Sequence, residues 1–123
     1  MRVFKNTWFT RFADKEGITD GELKEKVNQL EAGQADADLG GGVYKVRVAR
    51  SGEGKSGGYR VIVFFKSEER LFYVYGFAKS AMGNIDSKQL KRYKKTAKVT
   101  LAYTDKQLDE LVKTKWFIEI KED

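Results

Sequence analysis

The sequence predicts an α+β fold: a small antiparallel β-sheet, a three-strand meander plus a C-terminal strand, packed with N-terminal and C-terminal helices. Three observations carry this. Three helix starts share one capping pattern. Three β-branched and aromatic runs follow one another between residues 43 and 78, separated only by turn residues. The chain has 123 residues, of which 41% are hydrophobic and 34% charged, enough for one modest core and too few for two domains. Residues 1–123 therefore read as one domain.

Taken in order, a short helix around residues 5–13 is expected from Phe4, Trp8, Phe9 and Phe12, whose spacing suits one packed stripe. In "ITDGEL" Thr19 caps a second helix, Glu22 reaches back to close the box, and Ile18 staples onto Leu23. This helix runs to about Gly33 with Leu23, Val27 and Leu30 on one face, and "ADADLGGGV" reads as a connecting loop. The strands are "VYKVRVA", "YRVIVFF" and "LFYVYGFA", with "KSEER" turning between the second and third. Alternation puts Tyr44, Val46 and Val48 on one face of the first strand and Lys45 and Arg47 on the other. The second strand is apolar on both sides apart from Arg60 and Lys66, which places it centrally.

"IDSKQL" starts a helix over residues 86–103, with Leu90, Tyr93, Ala97 and Leu101 inward and Lys88, Lys91, Arg92, Lys94, Lys95 and Lys98 on the remaining surface. "YTDKQL" starts a short one ending near Lys113. "WFIEI" is the C-terminal strand, with Trp116, Ile118 and Ile120 on one face.

Composition narrows the chemistry. Cysteine and histidine are both absent, which excludes disulfides, thiolate nucleophiles, and zinc or haem on their usual ligands. No cofactor and no metal are expected. There is no apolar run long enough to span a bilayer, and the start "MRVFKNTWFTRF" is broken by charge too often for a secretory signal. The chain reads as cytoplasmic, without a membrane partner. Its net charge of +6 is uneven: residues 43–98 carry a net +10, while both flanks are net −2. Charge clustered this way favours a polyanion, most often nucleic acid, because each neutralised phosphate releases counterions. The plainer alternative is a helix face kept basic for solubility.

The segment "ARSGEGKSGGYR" satisfies a relaxed phosphate loop and a G-x-G-x-x-G together. Both motifs need a helix directly after the glycines, whose N-terminal N–H groups hold the phosphates. Here "YRVIVFF" follows, a strand. No nucleotide cofactor is expected; the glycines read as a hairpin loop, and Arg50, Lys55 and Ser56 within it are candidate RNA contacts.

Lys45, Arg47 and Arg60 on neighbouring strands, with Tyr73, Tyr75 and Lys79 on or just beyond the third, gather cations and phenols near one end of the sheet. RNA cleavage requires removal of a 2′-hydroxyl proton, stabilisation of the added negative charge at phosphorus, and protonation of the departing 5′-oxygen. Arginine supplies charge stabilisation through its planar fork. Lysine serves as base or acid where neighbouring cations lower its pKa, and tyrosine stacks a base or assists proton transfer. Lys45, Arg47, Arg60 and Lys79 are the candidate catalytic residues. Tyr73, Tyr75, Lys91, Arg92, Lys94 and Lys95 are further candidate RNA contacts. Against this stand a solvent-covering role for Lys45 and Arg47 and a core role for at least one of Tyr73, Tyr75 and Phe77, which alternate on the third strand.

"GGGVYKVRVARSGEGKSGGYRVIVFF" followed by "YVYGFAKSAMGNI" resembles the RelE/ParE superfamily of bacterial toxins, particularly its HigB/RelE-like branch with a "GKSGGYR" segment. The resemblance implies a compact RelE-like toxin of a type II toxin–antitoxin system. Such a toxin is neutralised by a cognate antitoxin and cleaves messenger RNA at the ribosome as a metal-independent endoribonuclease. It also places the active-site basic pair on Lys45 and Arg47 and the arginine after "GY" on Arg60. Family members often carry another arginine and a tyrosine after the third strand; "KSAMGNID" offers Lys79 but neither of those, so the acid and base stay open. Two alternatives remain: a gyrase-inhibiting ParE-like toxin, and a non-catalytic RNA-binding module using the basic helix for phosphate contacts alone.

Overall fold

The computed structural model describes residues 1–49, 58–78 and 85–121. The elements are β1 (Arg2–Asn6), α1 (Thr7–Glu16), α2 (Asp20–Glu31), β2 (Ala37–Gly40), β3 (Val43–Val48), β4 (Tyr59–Lys66), β5 (Arg70–Ala78), α3 (Ser87–Leu101), α4 (Asp105–Lys113) and β6 (Phe117–Ile120). The strands form one sheet in the order β2-β3-β4-β5-β1-β6. β1 runs parallel to β5; every other pairing is antiparallel.

The α+β class and the central meander are as the sequence predicts, and two strands are additions. β1 enters the sheet between β5 and β6, so the C-terminal strand does not adjoin the meander. Its residues face both layers, Val3 one and Phe4 the other, so no period-2 alternation announces it. The first helix accordingly begins at Thr7, capped by the Asn6 side chain, which accepts from Phe9 N–H at 2.7 Å. β2 lies within the stretch read as a loop. It is a short edge strand of residue types that strands disfavour, joined to β3 through Gly40, Gly41 and Gly42, all at positive φ. Conformation requires the last glycine, at φ 83°; a Cβ there would also fall 2.5 Å from Leu101 Cδ1 and displace that methyl group.

The sheet is covered on both faces. Phe9 and Ala13 of α1 and Leu23, Val27 and Leu30 of α2 pack on Val46, Val48, Tyr59, Val61, Val63, Leu71 and Tyr73. Ala97 of α3 and Leu108 of α4 pack on Phe4, Val43, Ile62, Phe64 and Phe72. A strand between two apolar layers must be apolar on both sides, which is the composition of β4. Two of the three caps follow the sequence pattern in full: Asp86 with Gln89, and Thr104 with Gln107, form complete capping boxes. At the third, Thr19 accepts from Glu22 N–H at 3.2 Å, but the expected return bond from the Glu22 side chain does not form, so the box is half made. Four salt-bridged groups tie the far edge together: the Arg2 guanidinium reaches Glu119 of β6 at 2.9 Å and Asp109 and Asp105 of α4 at 2.8 and 3.3 Å. These carboxylates hold the Arg2 pKa above its ordinary value.

Candidate functional site

β3 and β4 pair in a register that makes Arg47 and Arg60 direct partners, with Lys45 opposite Ile62 one pleat away. Across the other edge of β4, Arg60 pairs with Phe77 and Ile62 with Tyr75. One row thus reads Arg47, Arg60, Phe77 and the next Lys45, Ile62, Tyr75. Because Ile62 packs in the α3–α4 layer, alternation puts Lys45, Arg47 and Arg60 on that same face. Three cations from two neighbouring strands therefore share one face, and the strand that follows the glycine loop delivers the third.

The register sets two like charges opposite each other. Like charges directly opposite in a ladder repel, and Arg47 Nε and Arg60 Nη1 are buried without a hydrogen-bond partner among the described residues. No ion pair joins either guanidinium to a carboxylate among these residues. A buried donor without an acceptor costs free energy, so the arrangement suits an anion that presents several oxygens to two planar forks.

The two strand tyrosines separate. The β4–β5 register shifts between Ile62 and Val63, which pair with Tyr75 and Tyr73, leaving Val74 as an extra residue. Such a bulge re-aims the side chains beyond it. Tyr73 therefore joins the opposite layer, fully buried, and its hydroxyl donates to Leu23 O at 2.6 Å. Burial pushes its pKa up. Tyr73 is a core residue, and the expectation that it contacts RNA is corrected on that ground. Tyr75 instead joins the arginine face, with its ring 6.2 Å from Phe77, 6.3 Å from Tyr93 of α3 and 4.4 Å from Trp8 of α1. Tyr93, whose inward orientation the sequence predicts, has its pKa pushed up to about 12 by burial and by the neighbouring Tyr75. Its hydroxyl is a proton donor at neutral pH, not a base.

Lys91, Arg92, Lys94 and Lys95 all lie exposed on the outer surface of α3. Lys94 drapes its aliphatic chain over Gly40 and Gly41, while Lys91 and Lys94 share a groove with Ser87, Lys88 and Leu90. These cations flank the sheet without joining the arginine row. Arg50, Lys55, Ser56 and Lys79 lie outside the described residues. Two aromatics of the site, Phe77 and Trp8, were not singled out as functional by sequence. Phe77 becomes visible only through its register with Arg60, and Trp8 merges in sequence with the apolar stripe of α1.

A sheet clasped between two helix pairs, with Arg47 and Arg60 paired on one face, defines a small basic α+β domain. Residues 1–120 match the family described as the RelE toxin of the RelE/RelB toxin–antitoxin system, and the chain belongs to that family. It is thus a toxin of a toxin–antitoxin pair, with an antitoxin as its counterpart. No helix among the described residues is long and apolar enough to cross a membrane.

Proposed function

We propose that this toxin is a ribosome-dependent messenger RNA endoribonuclease of the HigB-like branch, with Arg47 and Arg60 as its electrostatic centre. The supporting observation is the direct pairing of two arginines whose buried N–H groups have no acceptor among the described residues. In the reaction the 2′-oxygen bonds to the adjacent phosphorus and the bond from phosphorus to the 5′-oxygen breaks. One proton leaves the 2′-hydroxyl and another reaches the departing oxygen, giving a cyclic phosphate and a 5′-hydroxyl end. The phosphorane carries one more negative charge than the phosphodiester, and preorganised guanidinium donors favour it selectively. Lys45, one pleat from Arg47, and Lys79 are the proton-transfer candidates, with Tyr75 supporting the base of the reacting nucleotide. Without histidine, the enzyme depends on the ribosome to position the message.

The test is mapping of new 5′ ends in a translating extract with wild type and the Lys45→Ala, Arg47→Ala and Arg60→Ala variants. Cleavage within translated codons, reduced about 100-fold by Arg60→Ala, supports the reading. Intact message, or cleavage indifferent to Arg47 and Arg60, overturns it; intact message together with inhibited gyrase assigns the toxin to the alternative target.

A further inference from the structure

Trp8 is 43% exposed although its neighbours Phe9 and Ala13 are buried, and it packs against two other rings. Pairing of β1 with β5 ends at Lys5 and Tyr73. Beyond that point the Asn6 side-chain amide donates to Val74 O at 3.0 Å, and the chain turns into α1. The Trp8 ring then lies beside the bulged part of β5, stacked on Tyr75 at 4.4 Å and on Phe12 at 5.3 Å. Gly76 makes this approach feasible, because a Cβ at that position would come within 2.5 Å of the Phe12 ring. The aromatic series runs without interruption from Phe77, the partner of Arg60, through Tyr75 to Trp8.

The exposed side of this series is cationic. Arg11 and Lys15, three and seven residues after Trp8, fall on the same flank of the helix and line one concavity with Trp8, Phe12, Glu16 and Gly76. Among the described residues Glu16 is the one carboxylate lining it, and it accepts the Tyr59 hydroxyl at 2.5 Å. An aromatic face followed by two cations matches single-stranded nucleic acid, in which bases stack and phosphates recur beside them.

We propose that the flank of α1 formed by Trp8, Arg11 and Lys15 is a strand-binding extension of the cleavage site. A base flanking the scissile phosphate stacks on Trp8, and Arg11 and Lys15 take neighbouring phosphates. This rests on the RNA-cleaving reading. Trp8 makes no base-edge hydrogen bonds by stacking alone, so the subsite tolerates any base.

The test uses the full chain with Trp116→Phe, which leaves Trp8 as the only tryptophan, and a single-stranded oligoribonucleotide of about ten nucleotides. Saturable quenching of Trp8 emission by the oligonucleotide, and not by an abasic strand of equal length, is expected. Trp8→Ala should weaken binding about ten-fold with an unchanged salt slope, and Trp8→Phe should retain most affinity. The double variant Arg11→Ala, Lys15→Ala should flatten the slope. If RNA binding depends on Arg47 and Arg60 while Trp8 emission and the Trp8→Ala affinity stay unchanged, the subsite is overturned and the RNA reading survives. Trp8→Ala with wild-type RNA affinity but lost neutralisation by the antitoxin overturns it in favour of protein docking. Wild type that neither binds the strand nor cleaves message overturns both.

Discussion

Arg47 and Arg60 stand directly opposite each other across the β3–β4 ladder, with buried N–H groups that meet no acceptor among the described residues. If the pair is retained for an anionic substrate, it is a liability in the free protein. Replacing Arg60 by Leu should therefore stabilise the fold by about 0.5–1 kcal/mol while removing activity. Urea denaturation in low-salt buffer measures the gain. Inorganic phosphate should raise the midpoint of wild type and leave that of Arg60→Leu unmoved. Equal phosphate responses in the two proteins would show that the pair is not the anion site.

Lys5 makes a different use of a buried cation. Its side chain is buried beneath α2 in the layer of Tyr73, and its Nζ lies 2.9 Å from Asp20 Oδ1. Asp20 is itself 57% exposed, so the pair is only half withdrawn from water. Asp20→Ala leaves a buried ammonium without this carboxylate and should cost about 1–3 kcal/mol. Lys5→Met, which removes the charge and keeps the length, should be close to neutral. Thermal melts of the two single variants and the double variant separate pairing from burial.

Tyr73 and Tyr75 give the sharpest test of the bulge. Tyr73→Phe removes the bond to Leu23 O and should cost about 1 kcal/mol, with RNA affinity and cleavage unchanged. Tyr75→Ala should instead weaken strand binding by about 1–3 kcal/mol, read by anisotropy of a labelled oligonucleotide. A binding defect from Tyr73→Phe at unchanged stability would contradict the placement of the two rings.

Local signals account for what the sequence made legible. Capping boxes at Asp86 and Thr104 are contained within four residues, and the alternation of Lys45 and Arg47 with Val46 and Val48 needs only strand geometry. What escaped depends on distant partners. β1 is a strand because β5 and β6, encoded some 68 and 115 residues later, accept it on either side; by itself "RVFKN" continues smoothly into the apolar stripe of α1. The β5 bulge has no signature in "LFYVYGFA", since the extra residue is defined by the register of β4. The cations of the site were identifiable by type and strand, whereas which tyrosine accompanies them was decided by that one inserted residue.

Gly76 links packing to the proposed strand-binding flank. Adding a methyl group there drives the Phe12 ring away from β5, at a cost of about 1–3 kcal/mol, and loosens the Phe12 and Tyr75 stacks that hold Trp8. Gly76→Ala should consequently red-shift and broaden Trp8 emission in the Trp116→Phe background, and should reduce strand affinity in proportion to the lost stacking. Unchanged emission with lowered stability would mean that Trp8 is held independently of Phe12.

Alkaline titration probes the aromatic side of the site through Tyr93. Its folded pKa is raised to about 12 against an ordinary value of about 10, because burial and Tyr75 both disfavour the phenolate. Between these two values the unfolded chain has released the proton and the native state still holds it, so the native state binds more protons and stability falls as pH rises. The contribution is complete below pH about 10 and is lost as pH climbs through the folded value. Tm should therefore decline from pH about 10 upward, and Tyr93→Phe, with no proton to lose, should show a shallower decline over that window. Tyr73, raised in the same direction by burial, accounts for part of the slope that remains in Tyr93→Phe. A decline as steep in Tyr93→Phe as in wild type would place the sensitive group elsewhere and detach Tyr93 from the buried aromatic cluster around Tyr75.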